Sequence, residues 1–370
     1  MHCLIPQRRF SELLSSIEEK VFRQRMPYSG ALELTYRCNL NCCHCYCNLP
    51  SSHKKATEEL KLEEIKNILD QITDAGCLWL LLTGGEPLLR EDFFDIYSYA
   101  IRKGLLVEVF TNATLINEEI AKKLSDLPPL GIEITIYGSN PAVHDGITGV
   151  KGSFENTMDG IGWLKKYRLK FAFKTMVLSL NCKDLRNMQE IGKSLGVKFN
   201  FDTFICPRLD GDMQPVQYRI PLREMINFEL NSVQSLESCG QLFEASRKID
   251  PKDAGNCGAG VSAFNIDPYG FLSPCTMFRS FQYSLRKKTF YDAYERLISD
   301  FTDIRDSFIP RDCFSCRLLA ICPRCAGWEE IESPGLGKKV DYICNYSLKL
   351  EETYLKKKEE QDAKKALSEA

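Results

Sequence analysis

The sequence predicts an α/β protein made of a large unit of βα repeats and a small cysteine-rich segment. From Ala31 to about Thr203, short apolar runs of β-forming residues alternate with amphipathic stretches of helical period. From residue 257 to 345, glycine, proline and cysteine dominate, and periodic apolar sequence is sparse. The chain has 370 residues, more than one average domain, which agrees with a two-part organisation.

Six strands are predicted, with stretches of helical character between them. The strands are Ala31–Tyr36, Leu78–Thr83, Leu105–Phe110, Ile132–Tyr137, Phe171–Leu178 and Lys198–Phe204. Helices are predicted at Thr57–Ala75, with Thr57 as N-cap, and at Ser153–Arg168. Parallel strands connected in this way form a doubly wound sheet or an incomplete barrel. Both folds place active residues at the carboxyl ends of the strands.

The remaining segments are predicted from composition. A helical segment around Arg223 to Glu237 lies within an otherwise irregular bridge, and the charged tail is expected to be a solvated helix. The cysteine-rich segment has too little apolar sequence for a core, so we expect metal to stabilise it. The predicted domains are an N-terminal extension (1–30), a core barrel (31–205), a bridge (206–256), the cysteine-rich domain (257–345) and the tail (346–370).

Composition excludes several classes of function. With 48 basic and 50 acidic residues the net charge is -2, so neither nucleic acid nor an anionic membrane is an expected partner. The sequence has no secretory signal and no run of eighteen apolar residues, so we expect a cytoplasmic protein. Seventeen cysteines in a reducing compartment indicate metal rather than disulfides. Ten of them form two sets, three near residue 40 and seven between residues 257 and 344.

The first set is Cys38, Cys42 and Cys45, which follow the first predicted strand directly. Their separations of three and two residues let one loop wrap three thiolates around a single centre. This spacing favours an iron–sulfur cluster, with zinc as the alternative because further cysteines and a histidine lie nearby. Three thiolates would bind three irons of a 4Fe-4S cluster and leave the fourth iron open. Cys43 and Cys47 lie off this register and are expected to pack as small apolar groups.

The segment Cys38-Asn-Leu-Asn-Cys42-Cys43-His44-Cys45-Tyr46 resembles the three-cysteine loop of the radical S-adenosylmethionine superfamily. Gly84-Gly85-Glu86-Pro87, at the end of the next strand, is similar to that family's motif for holding the amino group of the cofactor's methionine. The resemblance implies a partial (β/α)6 TIM-type barrel, a 4Fe-4S cluster on the three cysteines, and S-adenosylmethionine. Electron transfer into the sulfonium would then yield a 5'-deoxyadenosyl radical that abstracts hydrogen from unactivated C–H bonds.

The same resemblance implies a set of cofactor-binding residues along the strand ends. These are Tyr46, Gly84, Gly85, Glu86, Pro87, Thr111, Asn112 and Thr135. Thr111 and Asn112 end the third strand, and simply terminating it is the alternative role. Thr135 lies on the fourth strand, where the family often keeps a serine and an aspartate for the ribose. Tyr137 departs from that pattern.

The second cysteine set resembles the SPASM extension of peptide-modifying radical enzymes, which houses two auxiliary clusters. The family pattern gives Cys257, Cys275 and Cys325 to the first auxiliary cluster. It gives Cys313, Cys316, Cys322 and Cys344 to the second. The first is one cysteine short, so either Cys206 or Cys239 completes it, or one iron is open to a substrate thiolate. A pair of structural zinc sites built from Cys-x-x-Cys units is the alternative.

Enzymes of this type act mostly on ribosomally synthesised peptides, so we expect a maturase that forms a thioether or carbon–carbon crosslink or epimerises a residue. The implied partners are a precursor peptide, an electron donor such as flavodoxin or ferredoxin, and a separate leader-peptide-binding protein. No leader-recognition domain of its own is expected, since only about thirty residues precede the barrel. Candidate substrate contacts follow the sixth strand, where a plain surface turn is the alternative; they are Cys206, Arg208, Asp210 and Asp212.

Three other functions remain open. A sulfatase-type formylglycine maturase is weakened because Thr276 stands where that branch usually has an acidic residue. A haem-biosynthesis or other cofactor-biosynthesis enzyme would share the barrel, but that branch tends to carry fewer auxiliary cysteines. A non-catalytic iron–sulfur electron-transfer protein would leave the Gly84 to Pro87 motif without a role.

Overall fold

The computed structural model describes residues 20–47, 49–50, 54–231, 233–246, 257–305, 310–319, 321–335 and 337–369. Most of the predicted N-terminal extension and the end of the predicted bridge lie outside these residues. The strands are β1 (Ser29–Thr35), β2 (Arg37–Cys38), β3 (Leu49–Pro50), β4 (Trp79–Gly84), β5 (Leu106–Thr111), β6 (Gly131–Thr135), β7 (Phe171–Met176), β8 (Phe199–Asp202), β9 (Ala263–Ile266), β10 (Phe271–Ser273) and β11 (Tyr283–Ser284).

The described helices lie mainly between these strands. They are α1 (Leu62–Asp74), α2 (Phe93–Arg102), α3 (Glu118–Asp126), α4 (Pro141–Thr148), α5 (Ser153–Lys166), α6 (Leu185–Leu195), α7 (Leu222–Glu229), α8 (Val233–Ser246), α9 (Phe290–Arg305), α10 (Ala326–Glu332) and α11 (Asp341–Glu369). Short 3-10 helices occur at Lys54–Glu58, Pro87–Leu89, Cys182–Asp184, Gln214–Tyr218 and Arg311–Cys313. Among the described helices, none combines the length and apolar composition that crossing a bilayer requires.

The main sheet has nine strands in the order β11-β10-β9-β1-β4-β5-β6-β7-β8. All six predicted strands are present, as β1 and β4 to β8, and consecutive ones pair in parallel. The order runs from one edge to the other without closing, which confirms the α/β class and the partial barrel.

Alternation along the strands separates a core face from an inner face. In β5, Val107 and Val109 are buried in the main core with residues of the surrounding helices. Glu108 and Phe110 alternate with them and therefore point to the inner face of the sheet. The parallel registers place inner-face side chains of adjacent strands beside one another, such as Phe110 of β5 beside Glu133 of β6. The carboxyl ends of the strands thus meet at one edge.

Two helix predictions need correction. Thr57 is not an N-cap, because residues Lys54–Glu58 form a 3-10 turn and α1 begins only at Leu62. The buried Leu60 donates its backbone N–H to Pro268 O at 2.8 Å, which holds the chain out of the helix at that point. The predicted helical segment in the bridge consists of two helices, α7 and α8, rather than one.

The expectation that the cysteine-rich segment lacks a core is wrong for its first half. β9 pairs in parallel with β1, and Phe264 and Ile266 join the main hydrophobic core. Phe290 and Tyr294 of α9 pack into the same core. Strands of three or four residues are too short to show periodicity in sequence, which explains why this packing escaped prediction.

The tail is helical as predicted, but it is not solvated all round. Tyr346, Leu350 and Tyr354 of α11 are buried in the main core. The helix contacts both α7 and α8. One face of α11 therefore packs against the two helices of the bridge. The lysines and glutamates that dominate its sequence occupy the other face.

Candidate active site

The loop with the first cysteine set follows β1 and is held on one side by the end of α4. The backbone N–H of Asn41 donates to Thr148 O at 2.8 Å, and that of Cys43 donates to Ile147 O at 3.1 Å. Carbonyls at a helix C-terminus lack intrahelical partners, so these two bonds satisfy both the helix and the loop.

Arg208 holds the same loop from the opposite side. Its Nη1 donates to Cys45 O at 3.0 Å, and its Nε donates to Asp212 Oδ2 at 3.1 Å. Gln214 accepts a further bond from the guanidinium. The carboxylate of Asp210 accepts a bond from the backbone N–H of Asp212 and so belongs to the turn itself. These three charged residues, predicted as substrate contacts, make internal bonds here, and their contact with substrate stays a prediction.

The loop brings Cys38, Cys42 and Cys45 together in a poorly solvated pocket. Burial raises the pKa of the Cys38 thiol to about 12 and the pKa of Cys42 well above its usual range. Negative charge on Cys45 and Cys38 raises the pKa of Cys42 further. Three mutually interacting buried thiols become thiolates readily only when a metal centre compensates their charge, so this donor set fits an iron–sulfur cluster.

The two additional cysteines of the loop differ. Cys43 packs against Ile147, Leu178 and Ile205, which confirms its prediction as a small apolar group. Cys47 lies beside Cys45, with their Sγ atoms 3.9 Å apart, and its packing role stays a prediction.

The Gly84-Gly85 turn at the end of β4 presses against the backbone that leads into the cysteine loop. A side chain at Gly85 would place Cβ 2.2 Å from Arg37 O, and Gly84 has a φ of 128°. Gly85 donates its N–H to Thr35 O at 2.7 Å, and Glu86 donates its N–H to Arg37 O at 2.9 Å. Only glycine permits this approach, which sets Glu86 beside the loop.

Glu86 is fully buried at the meeting point of three strand ends. Its carboxylate accepts hydrogen bonds from Thr111 Oγ1 and from the backbone N–H groups of Asn112 and Leu88, at 2.8, 2.8 and 3.1 Å. Burial raises the pKa of Glu86 to about 7, although these donors act in the opposite direction. A buried carboxylate of this kind gains stability when a hydrogen-bond donor of a cationic or amino group approaches it. Pro87 is buried behind it and begins a 3-10 helix.

Asn112 links Glu86 to the cysteine loop. Its Nδ2 lies 3.8 Å from Cys38 Sγ and 2.9 Å from Asn39 Oδ1. Thr111 and Asn112 therefore do more than end the third strand. Both bind the carboxylate of Glu86, and Asn112 also contacts the sulfur of Cys38. Thr135, at the end of β6, lies one strand further along the same edge, with Lys174 of β7 as its register partner.

Tyr46 contacts a buried carboxylate that sequence analysis missed. Its hydroxyl donates to Glu33 Oε1 at 2.9 Å. Glu33 Oε2 accepts bonds from Arg279 Nη2 at 2.7 Å and from Asn265 Nδ2 at 2.9 Å. A glutamate in the middle of the apolar run of β1 was the available signal, since such residues are seldom buried without partners. Glu33 thereby ties the cysteine loop to the segment after Cys275.

Residues 32–190 match the family described as the Radical SAM superfamily. These residues form a radical SAM domain. The matched range contains the three-cysteine loop, Glu86 and Asn112. S-adenosylmethionine and an iron–sulfur cluster are its cofactors, as the predicted motifs indicated.

Known proteins of several activities are similar to this radical SAM enzyme. An AdoMet-dependent heme synthase of Methanosarcina barkeri is 28% identical over 320 residues, 81% of this chain and 91% of the relative. The antilisterial bacteriocin subtilosin biosynthesis protein AlbA of Bacillus subtilis is 29% identical over 279 residues, 74% of this chain and 60% of AlbA. The solved structure of Streptococcus suis SuiB bound to precursor peptide SuiA has a TM-score of 0.66 at 16% identity, over 92% of this chain and 82% of SuiB, which shows a shared fold.

The later cysteines lie in two groups beside the radical SAM core. In the first group, burial raises the pKa of Cys275 to about 11, and the charges of Cys325 and Cys257 raise it further. A close approach of Gly327 to Met277 holds this group together, because a Cβ at Gly327 would lie 2.9 Å from the Met277 carbonyl carbon.

The second group contains the cysteines that the resemblance assigned to the second auxiliary cluster. Burial raises the pKa of Cys313 to about 11, and Cys344 and Cys322 raise it further. Cys316 likewise raises the pKa of both Cys322 and Cys344, after burial. Cys316 and Cys257 are exposed, whereas the other members of the two groups are partly buried.

The two candidates for a missing ligand are separated by the fold. Cys206 packs in one buried cluster with Cys325 and Cys322, and its Sγ lies 3.9 Å from Met277 Sδ. Cys239 lies on α8, where it lines a cavity of about 460 Å³ with Tyr346. Only Cys206 is thus brought to the first group.

Proposed function

We propose that this radical SAM enzyme matures a ribosomally synthesised peptide in the cytoplasm, by forming a thioether or carbon–carbon crosslink or by epimerising a residue. The observation that carries the proposal is the presence of two further cysteine groups packed on the barrel, in the pattern that resembles peptide-modifying enzymes. AlbA, which is named for the biosynthesis of a bacteriocin, and SuiB, whose structure contains a bound precursor peptide, support it. When bound, the cluster and S-adenosylmethionine supply the one-electron chemistry that removes a hydrogen atom from the substrate.

The two cysteine groups would hold two auxiliary 4Fe-4S clusters. We assign Cys257, Cys275 and Cys325 to the first, with Cys206 as fourth ligand because it contacts the same buried cluster as Cys325. The second would be held by Cys313, Cys316, Cys322 and Cys344. Among the described residues, no three His, Cys, Asp or Glu side chains converge as ligands of a single metal ion would. Thiolates of a 4Fe-4S cluster bind separate irons and need not converge on one ion.

The chain's own residues divide the remaining tasks. Glu86 would accept hydrogen bonds from the cofactor's amino group, and Asn112 would orient both Glu86 and the Cys38 thiolate. Arg208 and α4 would keep the cysteine loop in place. The implied partners are the precursor peptide, an electron donor of the flavodoxin or ferredoxin type, and a leader-peptide-binding protein.

Haem synthesis is the second candidate, because the M. barkeri relative is matched over 91% of its length. The two candidates differ in substrate, so the test supplies both. The enzyme is co-expressed with each short open reading frame beside its gene, and each peptide is analysed by mass spectrometry. In parallel, the anaerobically reconstituted enzyme is incubated with reductant, S-adenosylmethionine and an iron tetrapyrrole.

Co-expression is repeated in D2O, because epimerisation changes the peptide mass only through an incorporated deuterium. A mass change in either medium that disappears in the Cys38→Ala, Cys42→Ala, Cys45→Ala variant supports the peptide maturase. Loss of carboxyl groups from the tetrapyrrole, with unmodified peptides, would establish the haem enzyme instead. Formation of 5'-deoxyadenosine is measured in both assays, so that an inactive preparation is recognised as such.

A further inference from the structure

The inner face of the barrel carries a charged cluster that the active site above does not use. Lys174 Nζ of β7 lies 3.8 Å from Glu133 Oε2 of β6 and 3.0 Å from the ring centroid of Phe110. Asn200 of β8 donates to Glu133 Oε1 at 3.3 Å. Glu108 of β5 is the fourth charged or polar member, since it acts electrostatically on Lys174.

This cluster lines an open lumen rather than a sealed core. The side chains of Lys174 and Glu133 are 28% and 29% exposed, whereas Phe173 and Ile134, their strand neighbours, are 0% exposed. Alternation along the strands therefore directs the charged groups into the concave side. Even so, surrounding protein limits their hydration, and burial lowers the pKa of Lys174 to about 8.

Glu108 is the member of the cluster whose carboxylate can accept hydrogen bonds from a ligand. No described residue donates a hydrogen bond to its carboxylate, and burial followed by the charge of Glu133 raises its pKa. By contrast, Glu33 on the same face has four side-chain donors. Two carboxylates face one lysine, so a single additional positive charge would balance the cluster.

We propose that Glu108 and Glu133 bind the cationic end of the substrate residue, the guanidinium or ammonium group of a peptide arginine or lysine. This inference rests on the proposed function and specifies the kind of substrate side chain that binds in the barrel lumen. Lys174, whose Nζ already lies over the ring of Phe110, is the resident cation that competes for the same carboxylates. A negatively charged propionate of a tetrapyrrole would instead be repelled by the carboxylates of Glu108 and Glu133.

The position of the cluster relates it to the reacting carbon. Glu133 precedes Thr135 by two residues and Glu108 precedes Thr111 by three, which puts the carboxylates about 7 to 10 Å below the strand ends. An extended lysine or arginine side chain bridges a comparable distance. When the two carboxylates hold the charged end of this substrate side chain, its carbons near the peptide backbone lie at the level of Glu86 and the cysteine loop. The modified residue is then the cationic residue itself or its direct neighbour.

The test uses three blocked pentapeptides, Gly-Gly-Xaa-Gly-Gly, in which Xaa is arginine, citrulline or glutamate. Citrulline has nearly the shape of arginine without its charge. Binding to the reconstituted enzyme with S-adenosylmethionine is measured by calorimetry at low salt. We expect the arginine peptide to bind at least about tenfold more tightly than the citrulline peptide, as one charge-assisted hydrogen bond would give. The glutamate peptide should bind most weakly.

Variants then separate charge recognition from damage to the fold. The double variant Glu108→Gln, Glu133→Gln should lose the preference for arginine over citrulline. Lys174→Met should strengthen binding of the arginine peptide, because it removes the competing cation. Glu119→Gln, on the outer helix α3 and exposed, is the matched control and should change nothing. A variant that merely unfolds would weaken binding in each case.

Equal behaviour of the arginine and citrulline peptides, including binding of neither, overturns the inference. So does weaker arginine binding in Lys174→Met. Formation of 5'-deoxyadenosine without peptide, together with the precursor assay above, tests the proposed function separately. If the enzyme modifies a peptide but shows no preference for cationic residues, only the present inference fails.

Discussion

Asn112 donates through its side-chain amide to the sulfur of Cys38, with Nδ2 and Sγ 3.8 Å apart. Its backbone N–H donates to Glu86 at 2.8 Å, so one residue joins the group proposed for the cofactor's amine to the first cluster ligand. Hydrogen bonds to cysteine sulfur make an iron–sulfur cluster easier to reduce, because they stabilise the added negative charge.

Replacing Asn112 with leucine should therefore make the active-site cluster harder to reduce. A hydrogen bond of about 1 kcal/mol corresponds to a shift of about 40 mV to more negative potential. The measurement is a redox titration followed by electron paramagnetic resonance. Asn156→Leu, at an exposed position of α5, is the control, and an unchanged potential in Asn112→Leu would contradict the prediction.

Binding of S-adenosylmethionine should weaken as the pH falls below 7. Burial raises the pKa of Glu86 to about 7, and the ionised carboxylate is the better acceptor for the cofactor's N–H groups. Protonation removes that acceptor, so the affinity should fall by up to tenfold per pH unit on the acid side. Equilibrium binding between pH 6 and pH 7.5 checks this.

The variant Glu86→Gln should bind the cofactor weakly at every pH in that range, without the slope. Glu119→Gln, with a carboxylate on the protein surface, should keep the wild-type profile. A flat profile in the wild type would show that another group controls the interaction.

Alanine at Gly85 should disrupt the active site, because its Cβ would lie 2.2 Å from Arg37 O, a backbone atom. Forced displacement of two backbone segments belongs among the severe substitutions, at roughly 4 kcal/mol or more. Gly162→Ala is the matched control, since its Cβ would meet nothing within 4 Å on α5. Alanine there should stabilise the helix by up to about 1 kcal/mol. Melting temperatures should fall for the first variant and rise slightly for the second.

Cys206→Ser should remove one auxiliary cluster, and the purified protein should lose about a third of its iron if three 4Fe-4S clusters are present. Cys239→Ser should retain the full iron content, because Cys239 packs in the main core beside Tyr346 and not in the cluster that contains Cys325. Iron analysis and Mössbauer spectra distinguish the two variants. Full iron content with unchanged spectra in Cys206→Ser would leave the first auxiliary cluster with an open iron.

Arg208→Ala should impair cleavage of S-adenosylmethionine even without substrate, since Arg208 braces the cysteine loop through Cys45 O. Loss of that charged hydrogen bond costs about 1.5 to 3 kcal/mol locally and should promote loss of iron from the active-site cluster. Arg186→Ala, at an exposed position of α6, is the control. If Arg208 instead contacts substrate, uncoupled cleavage will match the wild type and only the dependence on peptide concentration will change.

Much of the fold could be predicted from local patterns. The six strands of the barrel were identified because each combines apolar β-forming residues with a following amphipathic stretch. The Gly84-Gly85-Glu86 turn and the three-cysteine loop were recognised because their chemistry lies in consecutive residues. The N-cap at Thr57 failed because the contact of Leu60 with Pro268, more than two hundred residues away, overrides the local signal.

The amino-acid sequence by itself determined the strand pattern, the radical SAM motif and the two cysteine sets, since each depends on neighbours along the chain. Tertiary structure alone decided that Glu33 meets Arg279, that Cys206 rather than Cys239 packs with Cys325, and that Lys174 faces two glutamates in the lumen. These pairs are distant in sequence and arise from strand register and packing, which become defined only when the whole sheet forms.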